Sequence, residues 1–163
     1  LELIKKKALM IKINVISNYE KWEKYLKTPK KYVESKIKKI NKKNNLYKRK
    51  IIFCTLLLSG DKEIKKLNKK FRNKNKSTDV LSFPFYNAKE FKYKFKKEKE
   101  IYLGDIIVNL KKIKAKKNIK QFKIEFNKLW VHGLVHLLGH DHKKIKDFFE
   151  MKKAEEKYLS YIN

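Results

Sequence analysis

The chain has 163 residues, 42% of them hydrophobic and 38% charged, and its 45 Lys and Arg against 17 Asp and Glu give a net charge of +28 at pH 7. That length suits one domain with a packed core. It leaves no transmembrane helix, because the longest apolar run, Ile51–Leu58, is interrupted by Thr55 and falls far short of ~20 residues, and no disulfide scaffold, because Cys54 is the only cysteine.

Residues 1–9 read as an N-terminal extension, disordered or dispensable, and not as a secretory signal, since no long apolar stretch follows their lysines. From Met10 the chain reads as one domain, residues 10–163. Ile11, Ile13 and Val15 alternate with polar residues and mark a strand. Tyr19 to Lys42 carries apolar residues at helical spacing, interrupted at Pro29 into two helices or one kinked helix. Lys50–Leu58, with β-branched Ile51, Ile52 and Thr55, reads as a buried central strand, and Cys54 within it as a small buried hydrophobe. Ser59-Gly60-Asp61 turns the chain, and Asp61 is expected to cap a helix running through Phe71. A polar loop, Asn73–Ser77, leads to a strand at Val80–Phe85, where Pro84 suits a sheet edge.

Tyr86–Glu100 is Lys-rich and weakly patterned, which suggests a mobile loop or hairpin. Tyr102–Asn109 is a strand, followed by a Lys-rich helical stretch. Phe122–Leu138 is a helix whose last turns are apolar nearly all round, hence buried in the core. Lys143–Ile162 is a closing amphipathic helix. The expected fold class is α/β, of the α+β kind: a single domain with a mixed sheet of about four strands and several helices.

All four histidines fall between His132 and His142. His132 and His136 are four apart on the buried helix, so their rings share one face with Cβ atoms roughly 5–6 Å apart. Both can then reach one ion at about 2.0–2.1 Å. Gly139 can adopt the left-handed conformation that ends a helix, and His142 beyond it can supply a third ligand. Three neutral histidines with one position open describe a catalytic zinc site, in which bound water falls to a pKa near 7. Structural zinc usually takes four ligands with thiolates, which one cysteine cannot supply. The alternative is that His132 and His136 are core histidines satisfied by hydrogen bonds; the paired spacing favours metal. The frame is that of the zinc peptidases, H-E-x-x-H-x-x-G-x-x-H, except that Gly133 stands at the glutamate position. A peptidase needs that glutamate as general base, so the helix offers a zinc-hydrolase-like cradle for another hydrolysis.

The charge suggests which. A large positive excess attracts polyanions, and phosphodiesters are the natural substrate. All but two of the 45 cationic residues, Arg49 and Arg72, are lysine. Such a skew is what an AT-rich coding sequence produces, and lysines in every segment resemble a solvated shell as much as a designed patch. A lone thiol is compatible with a reducing cytosol.

Several ordered motifs closely resemble those of the YbeY family of bacterial endoribonucleases and rRNA maturation factors. They are His132-Gly133 through His136-Leu137 to Gly139, Asp141 and His142; Leu67-Asn68, Phe71-Arg72 and Thr78-Asp79-Val80-Leu81-Ser82-Phe83-Pro84; Leu103-Gly104-Asp105-Ile106; and Met151, Glu155 and Leu159 in the last helix. The resemblance implies a cytoplasmic, zinc-dependent, single-strand-specific endoribonuclease, acting in maturation of the 3′ end of small-subunit 16S rRNA and in ribosome quality control. By motif position His132, His136 and His142 look like the ligands of one zinc ion per chain. Arg72 looks like the family's important arginine. Two departures are visible: His140 stands where Tyr is usual and could compete with His142, and Ser77 replaces a usual Pro, which should loosen its loop.

On this reading Arg72, with the surrounding lysines, clamps RNA phosphate through a planar fork that Lys cannot mimic. Its bland alternative is a solvated surface charge. His136 and Asp141 join Arg72 as catalytic candidates; Asp141 and Asp105 could orient a histidine Nδ1–H or accept a proton. Asp105 serves equally well as a turn residue, and Thr78 and Asp79 as loop-shaping residues. Tyr86, Phe91 and Tyr93 could stack on bases, though packing explains most of them. The rivals are a zinc metallopeptidase-like hydrolase and a non-catalytic ribosome-assembly factor that binds RNA; a membrane-surface role finds no suitable helix.

Overall fold

A computed structural model describes residues 9–43, 50–140 and 145–163. Four strands, β1 (Leu9–Ser17), β2 (Lys50–Ser59), β3 (Val80–Pro84) and β4 (Glu100–Asn109), form one sheet in the order β1-β2-β4-β3. β1, β2 and β4 run parallel, and β3 lies antiparallel to β4 at the edge. Among the described residues five α-helices accompany them: α1 (Pro29–Lys43), α2 (Asp61–Arg72), α3 (Ala88–Lys97), α4 (Ile119–Leu137) and α5 (Ile145–Ile162). The result is the expected single α+β domain with a mixed four-stranded sheet.

The core lies on one face of the sheet. Ile52, Cys54, Leu56 and Leu58 of β2 and Ile106 and Val108 of β4 are buried there with side chains of α1, α4 and α5. On the other face α2 seats Ile64 against Leu81 and Ile107 in a smaller cluster. β2 is therefore central, but only one of its faces is fully covered; Phe53, pointing the other way, is exposed. Burial pushes the Cys54 thiol up to about 12, with the Asp105 charge adding to it. Among the described residues no helix is long and apolar enough to cross a membrane.

Local chemistry explains where the elements depart from expectation. Pro29 does not divide a helix but starts one, since its fixed φ and missing N–H suit a first turn. Only a 3-10 turn, Glu20–Trp22, precedes it. Tyr86–Glu100 is not a loop or hairpin: it contains α3, begun by a capping box. The Asn87 side chain accepts from the N–H groups of Lys89 and Glu90, and Glu90 accepts from the Asn87 N–H, each at 3.0 Å. Phe95 anchors this helix in the core. After β4 the helical stretch shrinks to a 3-10 turn, Leu110–Lys112, because Asn118 caps the next helix and Glu125 accepts from the backbone of Lys114 and Ala115.

Asp61 is the first residue of α2, and Gly60 occupies the cap position. Its carboxylate accepts from Ser77 Oγ at 2.5 Å and from Asn109 Nδ2 at 3.0 Å, and these bonds hold its pKa below the ordinary value. Asn109 Nδ2 also donates to Ser77 Oγ and to the Thr78 carbonyl. Ser77 thus ties its loop to the end of β4 instead of loosening it.

Candidate functional site

Helix α4 lies against the sheet and α5, and from Trp130 to Leu138 every residue is buried except His132 and His136. An otherwise apolar helix end opens to solvent on one stripe, and both imidazoles stand on it. Their rings meet edge to face, with centroids 4.6 Å apart and planes at 90°.

Each ring is held at Nδ1. That of His132 lies 2.7 Å from Oε1 of Glu155 on α5. A carboxylate only accepts, so the ring donates its Nδ1–H. His136 Nδ1 lies 3.0 Å from the carbonyl oxygen of His140 and donates in the same sense. A neutral ring so bound carries its lone pair on Nε2, the form that ligates a metal. The donor set, two imidazoles oriented by a carboxylate and a carbonyl, fits a divalent ion of the zinc type.

Gly139 builds the second of these contacts. With φ +90°, its N–H bonds to the His136 carbonyl at 2.9 Å while the His140 N–H reaches the Val135 carbonyl at 3.2 Å. These are the two bonds of a Schellman cap. The reversal brings the carbonyl of His140 back onto the ring of His136.

Gly133 has a different cause. A Cβ there would stand 2.5 Å from Ile106 Cγ2 and 3.1 Å from Ser82 Oγ. The helix presses on β4 and β3 at this point, and position 133 faces the sheet. A peptidase-type glutamate would run into the sheet instead of reaching the histidines.

Ser82 links the site to Arg72. Its hydroxyl donates to the Gly133 carbonyl at 3.3 Å, and its own carbonyl accepts from Arg72 Nη2 at 3.1 Å. Arg72 and the histidine helix at Gly133 are therefore joined through one residue of the edge strand, Ser82. The guanidinium lies 5.8 Å from the centre of the Phe83 ring, and exposed Lys69, Lys70, Lys74 and Lys76 surround it in the chain.

The remaining candidates separate. Asp105 pairs in register with Thr55, so it points to the sheet face opposite Ile106 and α4, where its carboxylate accepts from the Tyr102 hydroxyl. It orients no histidine; Glu155 does. Asp79 shapes its loop, accepting from the Val80 N–H at 2.8 Å and from Thr78 Oγ1 at 3.0 Å. Tyr86 and Phe91 pack on the core, while Tyr93 is exposed beneath Lys97. Asp141 and His142 lie outside the described residues. Among the described residues no group of three His, Cys, Asp or Glu could hold a metal. Glu155 is the partner of His132 that sequence reasoning passed over, although Met151, Glu155 and Leu159 at helical spacing put it on the face turned towards α4.

Residues 15–163 match the family described as Endoribonuclease YbeY. A protein of that name from Pelagibacter ubique is 46% identical over 155 residues, 94% of this chain and 97% of its own length. The chain belongs to the YbeY family. A second YbeY protein, from Ehrlichia canis, is 35% identical across 94% of this chain and 93% of its own. The solution structure of TM1509 from Thermotoga maritima is similar with a TM-score of 0.53 at 26% identity, covering 93% of this chain and 89% of that one. The YbeY match includes the whole of α4 and α5, and so both His132 and Glu155.

Proposed function

We propose that this YbeY-family endoribonuclease, acting through residues 10–163 as one catalytic domain, hydrolyses phosphodiester bonds of single-stranded RNA with a zinc ion held by His132, His136 and His142. Its setting is the cytoplasm, and its substrate small-subunit rRNA, at the 3′ end and in ribosome quality control. What supports the metal reading is the pair of Nδ1 anchors, which give both imidazoles the ligating tautomer on the one open stripe of a buried helix. Core histidines would not need that arrangement at a solvent-facing position.

When bound, a zinc ion with three histidine ligands supplies Lewis acidity at a phosphoryl oxygen and lowers the pKa of water towards 7. The chain's own groups do the rest. Glu155 and the His140 carbonyl keep the rings oriented. Arg72 gives one N–H to Ser82 and has further donors in its fork for a phosphate. The lysines beside it raise the local concentration of a polyanion. Asp141, beside His142 in the chain, is the candidate proton acceptor.

A peptidase is disfavoured because position 133 faces the sheet. The test is purified protein on single-stranded RNA, with and without a chelator, beside His136→Ala. Cleavage should vanish on chelation, return with zinc and be missing in the variant, while an unstructured polypeptide stays intact. Cleavage surviving both treatments contradicts the proposal, and RNA binding without any cleavage favours the assembly-factor reading instead.

A further inference from the structure

Among the described residues, the sheet face turned away from α4 is covered only in part. Beyond the seat of α2 on Leu81 and Ile107, a row of rings crosses three strands. Phe71, at the end of α2, lies 5.1 Å from Phe83 of β3. Two residues on, Phe85 lies 5.4 Å from Tyr102 of β4, which lies 5.2 Å from Phe53 of β2. Phe71, Phe85 and Phe53 are 58%, 63% and 38% exposed. Single exposed apolar side chains are ordinary, but two groups of touching rings, carried by Phe83 and Phe85 two residues apart in the chain, mark a binding surface.

Cations accompany the row. Lys70 Nζ sits 5.2 Å from the Phe71 ring centre and Arg72 sits 5.8 Å from that of Phe83. Exposed Lys12 of β1 stands beside Phe53 in the strand register. The Tyr102 hydroxyl, tied to Asp105 and to Thr55 at 3.1 Å, holds its ring in place.

We propose that this row is a stacking platform for a single-stranded stretch of the RNA substrate outside the cleavage site. The proposal rests on the RNA-cleaving reading and extends it to a second surface. Charge complementarity decides the occupant: the chain carries +28, and an apolar protein partner would have to strip water from the ammonium groups along the row. A polyanion with unpaired bases gains from both features, because every base has a π-face and phosphates meet the lysines. Open sheets bearing aromatics bind single-stranded RNA in this way elsewhere. The route is continuous as well. Arg72 marks the start of the row and bonds to Ser82, whose hydroxyl touches the histidine helix at Gly133, so a strand crossing the β3 edge passes from one surface to the other.

The experiment measures binding of labelled oligouridylates of ~4 and ~15 nucleotides to the full chain in chelator, where nothing is cut. Phe53→Ala and Phe85→Ala should each weaken the longer strand about tenfold and leave the shorter strand and its zinc-dependent cleavage rate unchanged. Phe53→Tyr and Phe85→Tyr should restore binding, and the leucine variants should not. Wild-type-like affinity of the alanine variants for the longer strand overturns the platform, as does equal rescue by leucine. Loss of self-association on sedimentation, with RNA binding intact, overturns it in favour of an interface between copies. Should the parent cleave RNA while the alanine variants match it throughout, the platform alone falls. Should the parent neither bind nor cleave, the RNA reading falls with it.

Discussion

The imidazole of His132 and the carboxylate of Glu155 meet at 2.7 Å across 23 residues of sequence, joining the buried helix α4 to the amphipathic helix α5. Both side chains are partly exposed, at 34% and 25%, so this hydrogen bond adds little to stability; even exposed ion pairs contribute only about 0–1 kcal/mol. Its effect is on the ring. Glu155→Ala frees the imidazole to rotate and change tautomer, and should cost about 10- to 100-fold in zinc affinity or activity with little change in Tm. Glu155→Gln, which keeps an acceptor, should lose less. Zinc competition against a chromogenic chelator measures both, and equal affinities for wild type and the alanine variant would remove Glu155 from the site.

Gly139 tests the helix end separately. Nothing lies within 4 Å of a Cβ placed there, so the effect of Gly139→Ala is confined to the backbone, whose φ is +90°. Such strain costs about 1–3 kcal/mol. If the backbone relaxes, the His140 carbonyl leaves His136, and cleavage should fall further than the Tm shift implies. Thermal melts beside cleavage rates on the same preparations show whether it does.

At Gly133 the obstacle is steric. The 2.5 Å approach to Ile106 Cγ2 should make Gly133→Ala cost about 1–3 kcal/mol by overpacking. Because the closest approach, to Ile106, is to one side chain, adding Ile106→Ala should give a double variant more stable than the sum of the two single changes predicts. Gly133→Glu should weaken the fold and bring no peptidase activity; a folded, proteolytic variant would contradict the assignment of position 133 to packing.

Asp61 links pH to stability. Hydrogen bonds from Ser77 and then Asn109 hold its folded pKa below the usual 3.8. A depressed carboxyl stabilises the fold above the unfolded value, and that stabilisation is lost as pH falls through the folded one. Asp61→Asn should therefore lower Tm near neutrality and reduce the fall in Tm below about pH 4. Parallel Tm–pH curves for variant and wild type would contradict this.

Much of this architecture is legible in the sequence where one periodicity dominates. Helix α4 shows itself because apolar residues surround two histidines four apart, and β3 shows its edge position through Pro84. The reading fails where local chemistry overrides pattern. In α3 lysines blur the amphipathic signal, and the decisive residues are Asn87 and Glu90, a capping box with no hydrophobic period of its own. After β4, Glu125 reaches back to the Lys114 and Ala115 N–H groups and holds the chain out of a helix. Long-range partners are harder still: nothing near His132 in the chain indicates Glu155. A largely apolar strand such as β2 likewise does not reveal which face is covered, so the exposure of Phe53 emerges only in three dimensions.

The metal content of the purified protein, measured by elemental mass spectrometry for wild type and His142→Ala, bears most directly on the proposed three-histidine centre. Wild type should carry one zinc ion per chain, removable by a chelator together with cleavage of single-stranded RNA, and the variant should carry far less. Wild-type protein that cleaves RNA without zinc, or a variant that retains full zinc, would contradict it.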